Sequence, residues 1–210
     1  MTELNFIKIK PTHAQEICQK VALDELANQL LVQDISPAAY LEQLIANALY
    51  TDAVSFLATA LPKREATWWA CLSARHNLTG STPPASEVKA IEAAEAWVYK
   101  PTKELCQLTQ SAAEATEYKT AAGWAAMAAF WSGDNISPVA GSIVPPSDDL
   151  TAKAVTSAIM IAATAGKPTE VASNYQLFLQ QGINIACGGD GRAIQLTAKQ
   201  EQTWDSPPPE

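Results

Sequence analysis

The sequence has few of the residues on which most catalytic sites depend. Its 210 residues include two histidines, His13 and His76, and four widely separated cysteines without a CxxC pair. A zinc site or a Ser-His-Asp triad would have to be assembled from distant parts of the chain. The GxxxxGK[ST], GxGxxG and GxSxG motifs are also missing. We therefore expect no catalytic residue, no metal and no cofactor.

Basic residues and long apolar runs are scarce as well. The chain has 14 Lys and Arg against 22 Asp and Glu, a net charge of −8, and no basic block. Nucleic acids and anionic membranes both require a basic face, so we expect neither as a partner. The most apolar stretch, 154–165, is too short to cross a bilayer. The start lacks the cationic and apolar regions of a secretory signal. We expect a cytoplasmic protein.

Strand-like patterns are almost absent, whereas helical patterns cover most of the chain. Only residues 4–9 alternate between apolar and polar side chains. The 3.6-residue spacing, caps and breakers predict helices that start near residues 12, 24 and 37, followed by helices at 52–61, 63–78, 86–99, 103–115, 120–132, 151–165 and 168–187. The sequence therefore predicts an all-α fold, an irregular array of helical hairpins with about eight to ten helices and a short extended N-terminal segment. A globular helical bundle is the alternative.

Two further segments differ from this helical pattern. Residues 189–210 are rich in glycine, proline and acidic side chains, and we expect a flexible C-terminal tail after a single helical domain at 1–188. Residues 134–149 form a long loop that contains Ile136, Val139 and Ile143. Long loops in compact domains are often functional. We therefore expect at least one of two segments to line a partner-binding surface: this loop through its three apolar side chains, or residues 4–9 through strand pairing.

One predicted helix, 63–78, combines arginines with adjacent tryptophans. Helical spacing puts Arg64, Trp68 and Arg75 on one face and Glu65 with Trp69 on the neighbouring face. The first interpretation is a central helix that packs on two sides, with its charged side chains paired inside the fold. The second is a binding pocket in which Arg64 and Arg75 hold a carboxylate or phosphate over an indole.

The same segment carries a family resemblance. Residues 61–71, LPKREATWWAC, resemble the LPxREAxWWAC signature of a bacterial family of unknown function, and residues 52–61, 123–133 and 150–155 are also similar to it. The resemblance implies no known reaction. It implies an association with type VI secretion gene clusters, among adaptors and accessory proteins that handle effectors.

These observations leave three functional hypotheses. The first is a non-catalytic accessory or adaptor protein that binds another protein. The second is a small-ligand-binding protein or enzyme with a pocket around Arg64, Trp68 and Arg75. The third is an immunity protein for a secreted toxin, which the sequence does not separate from the first. We expect Trp68 and Trp69 to lie at the structural centre in any of these cases, and residues beyond Arg192 to be dispensable for folding.

Overall fold

The structure of this protein is a computed structural model that describes residues 4–78, 82–139 and 141–192. These residues contain ten α-helices and no strand, so the predicted all-α fold is confirmed. A short 3-10 helix, Pro168–Glu170, precedes the last α-helix. Within the described ranges, no helix is both long and apolar enough to cross a membrane. The helices are α1 (Ala14–Cys18), α2 (Glu25–Gln29), α3 (Pro37–Ala46), α4 (Tyr50–Ala60), α5 (Lys63–His76), α6 (Ala85–Tyr99), α7 (Lys103–Glu114), α8 (Ala121–Trp131), α9 (Leu150–Thr164) and α10 (Val171–Ala186).

Several helices begin where the sequence supplies a capping side chain. The hydroxyls of Ser36, Thr102 and Thr120 each accept a hydrogen bond from the backbone N–H three residues later. Such a bond satisfies one of the N–H groups that the first helical turn leaves unpaired. Pro37 follows Ser36 at the first helical position, where its missing N–H costs nothing. Helices α3, α7 and α8 therefore begin within one residue of their predicted starts.

Helix α5 occupies the middle of the fold. It packs against α6, α8, α9 and α10, while α8 and α9 also pack closely on each other. The facing surfaces of α8 and α9 are formed largely by alanines, which let helix axes approach one another. This contact accounts for part of the high alanine content of the chain. The buried alanines of these two helices are Ala121, Ala122, Ala125, Ala126, Ala128, Ala129, Ala154, Ala158, Ala162 and Ala163.

The N-terminal segment differs from its expected extended form. The chain turns at Ile7 and Lys8, and the backbone N–H of Ile9 donates to the carbonyl of Phe6 at 3.4 Å. The N–H of Lys8 donates to the carbonyl of Ala186, the last residue of α10, at 3.0 Å. A helix leaves its last carbonyls without intrahelical partners, so this segment caps α10. The alternating pattern here reflects packing on a helix end and not a strand.

Candidate functional site

The two adjacent tryptophans of α5 lie in different environments. Trp69 is fully buried, and its indole Nε1 donates to the carbonyl oxygen of Phe178 in α10 at 2.7 Å. Gly182 lies beneath the ring, where an added Cβ would come within 2.7 Å of Trp69 Cε2. Trp69 therefore holds α10 against α5 from inside the core, with no surface left for a partner in this structure.

Arg75, at the other end of α5, is paired within the fold. Its Nε and Nη2 atoms donate to the two carboxylate oxygens of Glu95 in α6 at 2.5 and 2.6 Å. This charge-assisted bidentate pair raises the pKa of Arg75. The arrangement agrees with the first interpretation of this helix, in which charged side chains join neighbouring helices.

Trp68 is only half-buried and lies in a cluster that we call the Trp68 surface, formed by Arg64, Trp68, Tyr99, Asp190 and Arg192. Its Nε1 donates to the carbonyl oxygen of Asp190 at 2.8 Å. The guanidinium carbon of Arg192 lies 4.8 Å from the centre of the indole ring, a cation–π contact. Arg192 Nη2 also donates to the hydroxyl of Tyr99, whose ring centre is 5.9 Å from that of Trp68.

Arg64 borders the same surface without lying over the indole. Its side chain is exposed, and its Nε donates to the carbonyl oxygen of Val98 at the end of α6, at 2.5 Å. The neighbouring Glu65 accepts a hydrogen bond from Lys8 Nζ at 3.2 Å. The predicted shared face of Arg64, Trp68 and Arg75 is thus directed toward α6. However, the cation that covers the indole ring is Arg192.

The sequence reasoning did not identify Tyr99, Asp190 or Arg192 as site residues. Residues 188–192 follow α10 as a glycine-rich turn, in which Gly188 and Gly191 have φ angles of 93° and 73°. That backbone region favours glycine, and it lets the chain fold back onto α5. The repeated glycines after a helix signal this turn. Residues 189–192, assigned to the tail, thus pack on α5 and α6, and the rest of the predicted tail lies outside the described residues.

The loop between α8 and α9 is organised by one asparagine. Asn135 Oδ1 accepts hydrogen bonds from the backbone N–H groups of Ser137, at 3.0 Å, and Val144, at 2.8 Å. Its Nδ2 donates to the carbonyl of Ser142 at 2.9 Å. The N–H of Ile136 donates to the carbonyl of Val144 at 2.8 Å. A single side chain therefore ties both arms of the loop together.

The apolar side chains of this loop divide into two groups. Ile136 is partly buried and packs against the core. Val139, Ile143 and Val144 are 64%, 80% and 46% exposed, respectively, and we call them the loop surface. Beside them is a cavity of about 300 Å³ between the loop and the start of α7, lined by Trp97, Pro101, Thr102, Lys103, Cys106, Gln107, Ser132, Gly133, Asp134, Asn135 and Ile143.

A larger concave region lies elsewhere, between the α1–α2 connection, α4 and the first turns of α9. Its volume is about 750 Å³. Much of its lining consists of short side chains, with Lys20, Asp149 and Lys153 around it. Lys153 and Ser147 donate to Asp149 and lower its pKa to about 2. Because its acid and one of its lysines are already paired, this groove offers less unmatched charge than the Trp68 surface.

The described residues contain no group of three or more His, Cys, Asp and Glu side chains placed to hold a metal ion. All four cysteines are free thiols. Cys71 is fully buried, and burial raises the pKa of its thiol. Such a thiol is a poor nucleophile, because the thiolate is the reactive form. In this arrangement Cys71 acts as an apolar core residue.

Comparison with known proteins gives one result. No curated protein and no solved structure matches the chain. A family model described as a family of unknown function, DUF6931, matches residues 40–186. The match includes both tryptophans of α5 and the α8–α9 loop, and it stops before Asp190 and Arg192. Since it covers well over half of the sequence, the chain belongs to the DUF6931 family.

Proposed function

We propose that this protein is a non-catalytic accessory or adaptor protein that binds another protein through the loop surface. The observation that carries the proposal is the exposure of Val139 and Ile143, at 64% and 80%, on a loop held by Asn135. Neighbouring exposed apolar side chains commonly mark interaction sites. A loop that is already closed by hydrogen bonds loses less conformational entropy on binding.

The cavity beside the loop indicates what the partner presents. At about 300 Å³ it is at the small end of the range for ligand pockets, and it has apolar walls at Trp97 and Ile143. This volume suits one large apolar side chain, and interfaces commonly bury such an anchor. We therefore propose that the partner inserts an apolar side chain next to Ile143.

The family resemblance of residues 61–71 supports a cellular setting for this binding. That resemblance implies an association with type VI secretion gene clusters. We accordingly propose that the protein handles an effector or another component of such a secretion system. The partner would then be encoded near the protein's own gene.

The proposal is tested by affinity capture from the native host. The bait is the full chain, compared with a Val139→Ser, Ile143→Ser double variant. A Leu26→Ser, Leu108→Ser double variant is the matched control. These two apolar side chains are similarly exposed, at 61% and 58%, but lie outside the loop, in α2 and α7. We expect the parent and the control to capture the same dominant protein and the loop variant to lose it. Equal capture by all three would refute the proposal.

A further inference from the structure

The three arginines of this chain differ in whether they form an ion pair with a carboxylate. The sequence has 22 acidic residues and three arginines, Arg64, Arg75 and Arg192. Arg75 binds both carboxylate oxygens of Glu95. Within the described part of the chain, the other two make no ion pair. Both unpaired guanidinium groups lie at the Trp68 surface, although the chain has acids in excess.

Arg64 and Arg192 are held by neutral acceptors at the end of α6. Arg64 Nε donates to the carbonyl of Val98, and Arg192 Nη2 donates to the hydroxyl of Tyr99, the next residue. A guanidinium has several N–H donors, and each of these side chains uses one of them on a described residue. The remaining donors belong to exposed side chains. They are therefore available to a ligand that brings its own acceptors.

The surroundings favour a carboxylate as that ligand. A guanidinium held against an indole face leaves its N–H edge open, and this edge matches a carboxylate in a bidentate fashion. Glu65, the acid nearest in sequence to Arg64 and Trp68, is already paired with Lys8. The exposed Lys100 follows Tyr99 and adds further positive charge. Asp190 is the one acid of the Trp68 surface, and its Oδ1 already accepts a hydrogen bond from the backbone N–H of Arg192. Arg64, Arg192 and Lys100 outnumber it, so the surface is locally basic on a chain whose net charge is −8.

The same surface also offers apolar area. Tyr99 is 62% exposed, and the ring of Trp68 is only half-buried. A ligand that fits both properties carries acidic and apolar side chains in close succession. A nucleic acid fits less well, because the net negative charge of the protein repels a continuous polyphosphate.

We propose that the Trp68 surface binds an acidic, apolar segment of a partner protein, with carboxylates paired to Arg64 and Arg192. This inference rests on the proposed protein-binding function and names the chemistry of the partner. Pro101, two residues after Tyr99, lines the cavity at the loop surface. One partner can therefore contact both surfaces across the α6–α7 connection.

The test uses the full chain and synthetic peptides followed by fluorescence anisotropy. The probe is a labelled peptide of alternating glutamate and leucine. Two control peptides carry glutamine or phosphoserine at the glutamate positions. Arg64→Gln and Arg192→Gln are the test variants. Lys89→Gln is the matched control, because it removes one positive charge from an exposed position of α6 far from Trp68.

We expect the glutamate peptide to bind at least about tenfold more tightly than the glutamine peptide. Each arginine substitution should weaken its binding by about tenfold or more, as loss of a hydrogen bond to a charged group does. Lys89→Gln should leave its binding unchanged. Three results would overturn the inference. The glutamate peptide does not bind at millimolar concentration, it binds no more tightly than the glutamine peptide, or Lys89→Gln weakens its binding as much as the arginine substitutions do. Tighter arginine-dependent binding of the phosphoserine peptide would also overturn it, in favour of a phosphorylated partner.

The loop variant separates this inference from the proposed function. Val139→Ser with Ile143→Ser leaves Arg64 and Arg192 in place, so it should still bind the glutamate peptide like the parent. Loss of the captured host protein on loop substitution, without any arginine dependence of peptide binding, would sustain the proposed function and defeat the inference. Arginine-dependent binding of the glutamate peptide, together with unchanged capture of the host protein by the loop variant, would sustain the inference and defeat the proposed function.

Discussion

Trp68 and Trp69 are neighbours in sequence that the fold uses in different ways. Successive helical residues point about 100° apart, so one indole enters the core toward α10 and the other lies toward α6. Trp69 has no exposed surface, whereas Trp68 is half-buried beneath Arg192. The expectation that α5 is central is supported by its contacts with four other helices. Trp69 therefore contributes to the core between α5 and α10, whereas Trp68 contributes to the surface beside α6.

Replacing these rings should therefore have unequal effects. Trp69→Ala removes a fully buried indole and the hydrogen bond to Phe178, and should lower the free energy of unfolding by about 3–5 kcal/mol. That is a large part of the roughly 5–15 kcal/mol that stabilises a typical domain. Trp68→Ala should cost less, because the ring is half-buried. Denaturant unfolding measures both values, and equal losses would contradict this assignment.

A buried amide offers a way to stabilise the protein. Gln181 is fully buried, and neither its Oε1 nor its Nε2 has a hydrogen-bond partner in the described structure. Leaving a buried polar group unpaired costs about 1–3 kcal/mol. Gln181→Met keeps the side-chain length and should raise the melting temperature. The adjacent exposed residue supplies the control, Gln180→Met, which should change it little. A lower melting temperature for Gln181→Met would show that the amide is satisfied.

At the scale of elements, helix boundaries could be predicted because their signals are local. Ser36 and Pro37 lie together in the sequence and define the start of α3 without help from the rest of the chain. The Trp68 surface could not be predicted in this way. Its indole N–H bonds a carbonyl 122 residues later, and no periodic pattern encodes such a contact. The apolar content of the α8–α9 loop was visible in the sequence, but the closure of the loop by Asn135 was not.

The α8–α9 loop should depend on that asparagine. Asn135→Ala removes two side-chain hydrogen bonds that join the arms of the loop, with Ser142 and Val144, and a local one with Ser137. We expect unchanged helical circular dichroism together with faster proteolysis within 134–149, because the loop opens without disturbing the core. Asn47→Ala is a suitable control, since Asn47 is an exposed asparagine that bonds only locally at the end of α3. Loop cleavage at the parent rate would show that Asn135 is dispensable.

At the scale of the whole molecule, the residues matched by the family model and the residues of the proposed Trp68 binding surface overlap only in part. The match runs from α3 to the last residue of α10, which includes most of the buried core. The Trp68 surface is completed by Asp190 and Arg192, beyond the matched residues. The match to the family therefore includes Arg64, Trp68 and Tyr99 but not the two residues that complete this surface.

Truncation tests the contribution of that short segment. A chain ending at Arg192 should keep a cooperative melt, as the sequence predicts for removal of the remaining tail. A chain ending at Gly188 loses the Asp190 carbonyl and the Arg192 contact with Trp68. It should be less stable than the Arg192 truncation by about 2 kcal/mol or more, because the hydrogen bonds Trp68–Asp190, Gly191–Asn184 and Arg192–Tyr99 are lost together with the cation–π contact. Identical unfolding curves for the two truncations would contradict the proposed role of residues 189–192.

The two indole N–H groups of α5 differ in what must open before they exchange with solvent deuterium. The N–H of Trp69 is enclosed between α5 and α10, so its exchange requires these helices to separate, an event close to global unfolding. The N–H of Trp68 is released when only residues 190–192 detach. Its exchange rate thus reports how often the Trp68 surface loses its Arg192 cover, and a ligand that binds across Trp68 and Arg192 together would slow it selectively.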